Sequence, residues 1–215
     1  EIDVLVTSHS DMDHAGGRQV TAVAFNPGIE LAGDETPGAA ACEAGMQWEW
    51  DGVSFRILHP ASGAGLEDND ASCVLLVRSP RGSVLFTGDI PAAVERTLVN
   101  TQPCLGVDLM IAPHHGSGTS SSASLVKASS PSYVIFAAGF NNRWGFPLES
   151  VVNRWHRVGS KTVVTGQAGA VTVRFTGDKA AQISLERMRN KRIWRAGPVS
   201  SGLDVQYDSS SFPIR

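Results

Sequence analysis

His9-Ser10-Asp11-Met12-Asp13-His14 places two imidazoles and two carboxylates within six residues. Residues 2–7 just before it, Ile-Asp-Val-Leu-Val-Thr, are apolar and β-branched and read as a buried strand. A strand end fixes the first of these polar side chains, and the following loop lets the others turn inward. Gly16-Gly17 then leave room for a tight turn into the next element. Ligand-type groups at this density repel one another or strand unpaired polar atoms unless a cation holds them. A solvated acidic loop with incidental histidines is the competing reading.

Two further strands end the same way. Val84-Leu85-Phe86-Thr87-Gly88-Asp89 is apolar up to a lone carboxylate, which on its own also suits a cap for a helix beginning near Pro91. Asp108-Leu109-Met110-Ile111-Ala112-Pro113-His114-His115 runs into paired histidines, with Ser/Thr-rich residues 117–122 behind them. In α/β sheets ligands bind beyond the carboxyl ends of strands. Three such ends together carry more weight than any one of them.

Farther out, Asp51-Gly52 between residues 46–50 and 53–58 is a hairpin signal, because both turn residues accept positive φ. Residues 72–77 and 83–87 flank a second turn at Pro80-Arg81-Gly82. Helices are expected over 91–99, 121–128 and 147–158, and strands over 107–112 and 132–137. In 147–158, Val151, Val152, Trp155 and Val158 share a face. Residues 162–165 and 170–175 are expected to flank a glycine-containing turn. Residues 27–45, rich in Gly, Pro and Ala, read as loop. Early hairpins followed by strand–helix alternation indicate an α/β domain of mixed sheets covered by helices.

The chain has 215 residues, 42% of them hydrophobic and 18% charged, a globular composition that excludes a disordered chain, a coiled coil or a collagen-like repeat. A net charge of −3 provides no global basic field to draw in nucleic acid, so such contact requires a local patch. No apolar run reaches the length of a membrane span. A start at Glu1, directly before a buried strand, suggests a piece of a longer polypeptide. Cys42, Cys73 and Cys104 are odd in number, widely spaced and without a CxxC, and are expected as small buried apolar residues rather than a disulfide framework. His59 before Pro60 reads as a loop residue, and His156 as structural or exposed.

The ordered set SHSDMDHAGG, LHP, NDASCVLLV, LFTGDI, PHHGSGTSSS and GFNNRWGFP resembles the metallo-β-lactamase superfamily. It is similar in particular to the soluble C-terminal domain of the ComEC family, membrane channel proteins of DNA uptake in competent bacteria. The resemblance spans residues 1–186, with residues 187–215 as a basic C-terminal tail. It implies a four-layer αββα sandwich whose first strands lie before Glu1. It implies a metal-dependent nuclease that hydrolyses DNA during internalisation, on the periplasmic face of the inner membrane and next to the channel portion of its own protein. His9, Asp11, Asp13, His14 and Asp89 would surround one or two metals. Asp13 would orient or deprotonate water, and His114 and His115 would assist the leaving group. Ser117, Thr119 and Ser120 would donate to phosphate or cap a helix.

Two departures stand out. The superfamily's Gly-His ligand after the central hairpin is replaced by Asn69 and Asp70, and Phe146 in Gly145-Phe146-Pro147 replaces a late histidine. The carboxylate-rich set suits Mn²⁺ better than Zn²⁺. The alternative is a DNA-binding or gating module that keeps the fold without catalysis. Arg143 and Trp144 are candidate DNA contacts. Arg187, Arg189, Lys191, Arg192 and Arg195 around Trp194 form a basic run, a solvated tail by default and a phosphate contact with base stacking as the alternative.

Overall fold

A computed structural model describes residues 2–102, 105–177 and 181–190. Cys104 and the basic run from Lys191 to Arg195 lie outside the described residues. Strands β1 (Val4–Thr7), β2 (Ile29–Ala32) and β3 (Ala40–Ala41) form a small parallel sheet. Between β1 and β2 the chain passes through α1 (Met12–Ala15) and α2 (Arg18–Phe25).

The main sheet has seven strands: β4 (Gln47–Trp50), β5 (Val53–His59), β6 (Val74–Ser79), β7 (Gly82–Phe86), β8 (Leu109–Ile111), β9 (Tyr133–Phe136) and β10 (Lys161–Val164). They lie side by side in the order β10-β9-β8-β7-β6-β5-β4. The run from β4 to β7 is antiparallel, built by the two expected hairpins; Asp51 and Gly52 take φ of 48° and 76° in the first turn. From β7 to β10 the pairing is parallel, and crossovers run through α3 (Ala92–Thr101), α4 (Ala123–Ser129) and α5 (Glu149–His156).

Alternation along the central strands sorts side chains between the two faces. Leu85, Met110, Val134 and Phe136 point to one side and pack with Val94, Leu98, Leu125, Val126, Val151 and fully buried Trp155 of the helices. Burying side chains of this size stabilises by about 1.5–3 kcal/mol each. On the opposite face, Leu109, Ile135 and Val163 meet Ala168 of α6 (Thr165–Ala168) and a separate hairpin, β11 (Val171–Arg174) with β12 (Gln182–Leu185). Leu31, Cys42, Ile57 and Cys73 join the β1–β3 sheet to the same face at its other end. The molecule therefore has two stacked β layers with α3–α5 on one outer side. The connection between parallel β1 and β2 runs through α2, none of whose residues is buried. The short α7 (Glu186–Arg189) closes the described chain.

Three expectations are corrected, and one unassigned segment proves helical. Residues 27–45 contain β2 and β3 rather than loop alone. Residues 162–165 and 170–175 do not flank a simple turn: α6 lies between β10 and β11, which belong to different sheets. Residues 18–25, which carried no assignment, form α2. Cys42 and Cys73 are buried as expected but form a disulfide, with Cα atoms 5.9 Å apart and 31 residues of separation. A single pair brought together by two stacked sheets leaves no spacing pattern in the sequence. Among the described residues, no helix is long and apolar enough to cross a membrane.

Candidate metal centre

Strands β7 and β8 are parallel neighbours with Phe86 opposite Ile111, so their carboxyl ends open side by side. The end of β1 is tied across the layers to the start of β6, the neighbour of β7, where the Cys73 N–H donates to the Ser8 carbonyl at 2.8 Å. The His114 N–H donates to the Gly88 carbonyl at 3.2 Å and locks the β7 and β8 loops together. Gly88 is required at this junction. Its φ is +54°, and a Cβ there would stand 2.7 Å from Ser72 Cβ and 3.0 Å from Ser8 Cβ.

The histidines and carboxylates of all three strand ends meet at this point. His14 Nε2 lies 3.2 Å from Asp89 Oδ1, and His115 Nε2 lies 3.4 Å from Asp89 Oδ2 and 3.2 Å from Asp13. His14 and His115 approach Nε2 to Nε2 at 3.2 Å. His114 stands 3.9 Å from Asp89, and Asp11 stands 3.4 Å from His9. Two donor groups result, His9–His14–Asp89 and Asp13–His14–His115, each with all ligand atoms within 4.8 Å of one another. His9 and Asp89 are buried, His14, His114 and His115 are partly exposed, and Asp11 and Asp13 are open to solvent.

These residues fit a divalent cation. His9 Nε2 is fully buried and makes no hydrogen bond, with only the solvent-exposed Asp11 carboxylate 3.4 Å away, an expensive state for a ring nitrogen unless an ion takes its lone pair. The far sides of the rings are already engaged. Ser8 Oγ lies 2.9 Å from His14 Nδ1 and 3.1 Å from His9 Nδ1, and Ser72 Oγ lies 3.4 Å from His9 Nδ1. Contacts at Nδ1 leave Nε2 to face the cluster, as the outer contacts of metal-binding histidines do. Burial works against charge on both His14 and Asp89. Burial is the largest single influence on each, but the hydrogen bond between them and the nearby charges together outweigh it: Asp89, Asp13 and Asp11 for His14, and His115, His14 and His114 for Asp89. The His14 pKa is accordingly raised above 6.5 and that of Asp89 lowered below 3.8.

The β8 loop reaches the cluster through strain. His114 and His115 adopt φ of 49° and 54°, in the left-handed region that costs a non-glycine residue about 1–3 kcal/mol. Gly116 follows at φ +89°, where a Cβ would stand 2.4 Å from Pro147 Cβ. Behind this loop sits Glu95, fully buried, accepting the Ser121 N–H at 2.5 Å and the Ser122 N–H at 2.6 Å. Arg154 donates to the Ser120 and Ser121 carbonyls. Burial raises the Glu95 pKa, an effect partly offset by the Ser121 and Ser122 donors and by Arg154.

The hydroxyls of the 117–122 segment have other partners. Ser120 is buried and donates to the Pro113 carbonyl at 2.9 Å, so it braces the loop from inside instead of facing a phosphate. Ser117 is buried beside Thr119 Oγ1 at 3.0 Å, and Thr119 Oγ1 lies 3.4 Å from His114 Nδ1. Ser122, not Ser120, caps α4, accepting from the Leu125 N–H. Phe146 lies on the wall of the cleft, its ring 6.0 Å from that of His114. Arg143 stands farther out, over the ring of Trp144. His59 is buried and donates through Nε2 to the Asp70 carbonyl at 2.7 Å. His156 pairs with Thr162 Oγ1 at 2.9 Å.

Sequence reasoning missed Ser8, Ser72, Asp34 and Glu95. Asp34 accepts the Ser10 N–H at 2.9 Å and holds the first histidine loop. Ser8 had a local signal in its position between strand and histidine. The other three act across 17 or more residues and had none.

Residues 1–139 match the family model described as Metallo-beta-lactamase superfamily. Recombination protein 2 of Haemophilus influenzae is 37% identical over 199 residues, covering 88% of this chain and 24% of that protein. Competence protein ComA of Neisseria gonorrhoeae is 38% identical over 200 residues, covering 92% of this chain and 28% of that protein. The chain thus spans about a quarter of the length of these curated relatives. Among solved structures, CmlA, a diiron beta-hydroxylase from Streptomyces venezuelae, superposes with a TM-score of 0.54 at 14% identity, covering 75% of this chain and 43% of that one, a likeness of fold.

Proposed function

The chain belongs to the metallo-beta-lactamase superfamily, and from that premise we propose that it is a divalent-metal-dependent phosphodiesterase, the nuclease domain of a DNA-uptake protein. The observation that carries the reading is the pair of donor groups sharing His14, with Asp89 between His14 and His115. His9, Asp11, His14 and Asp89 would hold one cation. Asp13 and His115, with Asp89 shared through its second carboxylate oxygen, would hold a second. Mn²⁺ is favoured over Zn²⁺ because three carboxylates contribute. When bound, such ions supply Lewis-acid stabilisation of phosphate charge and lower the pKa of water.

The chain's own residues supply the rest. Solvent-exposed Asp13 orients the attacking water and takes its proton. His114, which is in neither ligand group, returns a proton to the leaving oxygen. Thr119, and Ser117 behind it, steady a phosphate oxygen at the mouth of the cleft, and Arg143 meets a flanking phosphate. The name of Competence protein ComA supports a role in competence; DNA as substrate and the membrane-embedded remainder of the protein as neighbour follow from the resemblance carried by the sequence motifs. The Cys42–Cys73 disulfide supports an oxidising location such as the periplasmic face. Residues 1–186 form the domain, and residues 187–215 a basic tail.

The test is cleavage of labelled single- and double-stranded DNA across a metal series. The wild-type chain should cleave without strong sequence preference, since its polar groups address phosphate rather than base edges. Phe146, lining the cleft where the resemblance places a histidine, favours the second reading of a module that binds or gates DNA. DNA binding with no cleavage under any metal would establish that reading instead.

A further inference from the structure

We infer that the loop of residues 139–147 is a stacking platform for single-stranded DNA, delivering a strand to the neighbouring metal cluster; the inference rests on the phosphodiesterase reading and names its substrate as unpaired. Two large aromatic side chains stand exposed on this loop, Trp144 at 58% and Phe140 at 49%. Each carries a guanidinium. Arg143 lies 4.2 Å from the centroid of the Trp144 ring, and Arg187 lies 5.7 Å from that of Phe140. Exposed Trp and Phe beside cations are costly as mere surface. They match a polynucleotide, whose bases present π faces and whose phosphates present charge.

The platform leads to the chemistry. Trp144 and Phe146 are nearly parallel, 13° apart with centroids 6.3 Å apart, and Phe146 meets the His114 ring edge-on at 6.0 Å. Trp144, Phe146, Asp89 and His115 line one cleft. A stacked strand advances about 3.4 Å per nucleotide, so a base on Trp144 lies within a few nucleotides of a phosphate at the cluster.

The loop is also held in place before any ligand arrives. The Asn142 side chain donates to the Gly139 and Phe146 carbonyls at 3.0 and 2.7 Å and accepts the Phe146 N–H at 2.9 Å. The Leu148 N–H donates to the Gly116 carbonyl at 3.0 Å, which couples the loop to the histidine turn. Arg187 is steadied by the Gly166 carbonyl at 2.7 Å. A rigid aromatic surface loses little entropy on binding. A base inside a duplex has its faces covered by its neighbours, so only unpaired bases can use such a platform.

The experiment measures binding of fluorescein-labelled dT15 and of a 15-base-pair duplex to the 215-residue chain, in chelator so that nothing is cleaved. Wild type should prefer dT15. Trp144→Ala should weaken dT15 binding by about ten- to a hundredfold, the value of one stacked base, and abolish the preference over duplex. Trp144→Phe should retain most of the affinity. Arg143→Ala should lower the salt slope for both DNAs by about one phosphate contact. Equal dT15 affinity in wild type and Trp144→Ala, with unchanged melting temperatures, overturns the platform even if the wild type cleaves DNA. Trp144-dependent dT15 binding by a chain that cleaves nothing upholds the platform and removes the phosphodiesterase.

Discussion

The two histidine loops of the cluster reach the same place by opposite means. The loop after β1 carries its ligand-type residues at high density on an ordinary backbone, with Met12–Ala15 as a single helical turn. Polar contacts near the surface hold it: Ser8 against both rings, and Asp34 on the Ser10 N–H. The loop after β8 carries only His114 and His115, on two consecutive left-handed residues. Its support is internal, with buried Glu95 gripping the Ser121 and Ser122 N–H groups and Arg154 the adjoining carbonyls. A dense ligand loop needs little scaffolding. A sparse one is held in a strained shape, and the core supplies the free energy for it.

Asp89 belongs to neither loop and faces both, so its loss should have the largest effect. Asp89→Ala should cut metal-dependent DNA cleavage by about 10³-fold, comparable to removal of a main transition-state stabiliser, and should reduce bound metal in elemental analysis. Unchanged cleavage would separate the cluster from the reaction.

Next comes the internal support. Glu95→Ala leaves two N–H groups without their acceptor and opens a cavity, and should destabilise the fold by about 3 kcal/mol in urea titration. The contrast predicts a selective consequence as well, a drop in cleavage from a displaced His114–His115 turn while the first loop keeps metal affinity. A loss of stability under 1 kcal/mol would show that the second loop does not depend on its buried carboxylate.

The surface support should matter less. Asp34→Ala removes the acceptor of the Ser10 N–H and of the Thr36 hydroxyl on an accessible loop and should cost about 1 kcal/mol, with cleavage reduced only a few-fold. An effect as large as that of Glu95→Ala would erase the distinction between the loops.

The smallest effect is a pH signature of the metal-free protein. His14 has a raised pKa when folded, so its stabilisation is fully present below about pH 6.5 and is lost as pH rises through the folded value. The Asp89 pKa is lowered, so its stabilisation is present above about pH 3.8 and is lost as pH falls through the folded value. In chelator, melting temperature should therefore peak between these limits and decline slightly above pH 6.5, and Asp89→Asn should flatten the profile. A profile with no such decline in the wild type would mean that the pair is not formed without metal.

Much of this was legible in the residues. The cluster at His9–His14 and the strand ends before Asp89 and His114 are local patterns, since a strand sets where its next few residues emerge. The Asp51-Gly52 hairpin and the Val151, Val152 and Trp155 face of α5 were legible for the same reason, whereas Val158, expected on that face, lies beyond the helix end and is exposed. Strand β2, four residues of a parallel sheet within a Gly- and Pro-rich stretch, was not, because so short an element has no period to detect. Ser120 shows the limit on the site itself. Its hydroxyl suits a phosphate or a carbonyl equally well, and only the packing of the loop on Pro113 turns it inward.

By itself the sequence determined which residues have the chemistry to bind metal, that each group follows an apolar strand, and that the domain is α/β. These are properties of near neighbours along the chain, governed by covalent geometry and short-range propensity. Only the tertiary structure decided that His14 and His115, 101 residues apart, meet at 3.2 Å, that Cys42 bonds Cys73, and that Glu95 and Ser72 stand behind the histidines. Those contacts depend on how two sheets stack and in what register. Many apolar pairings sum to that arrangement, and no single segment encodes it.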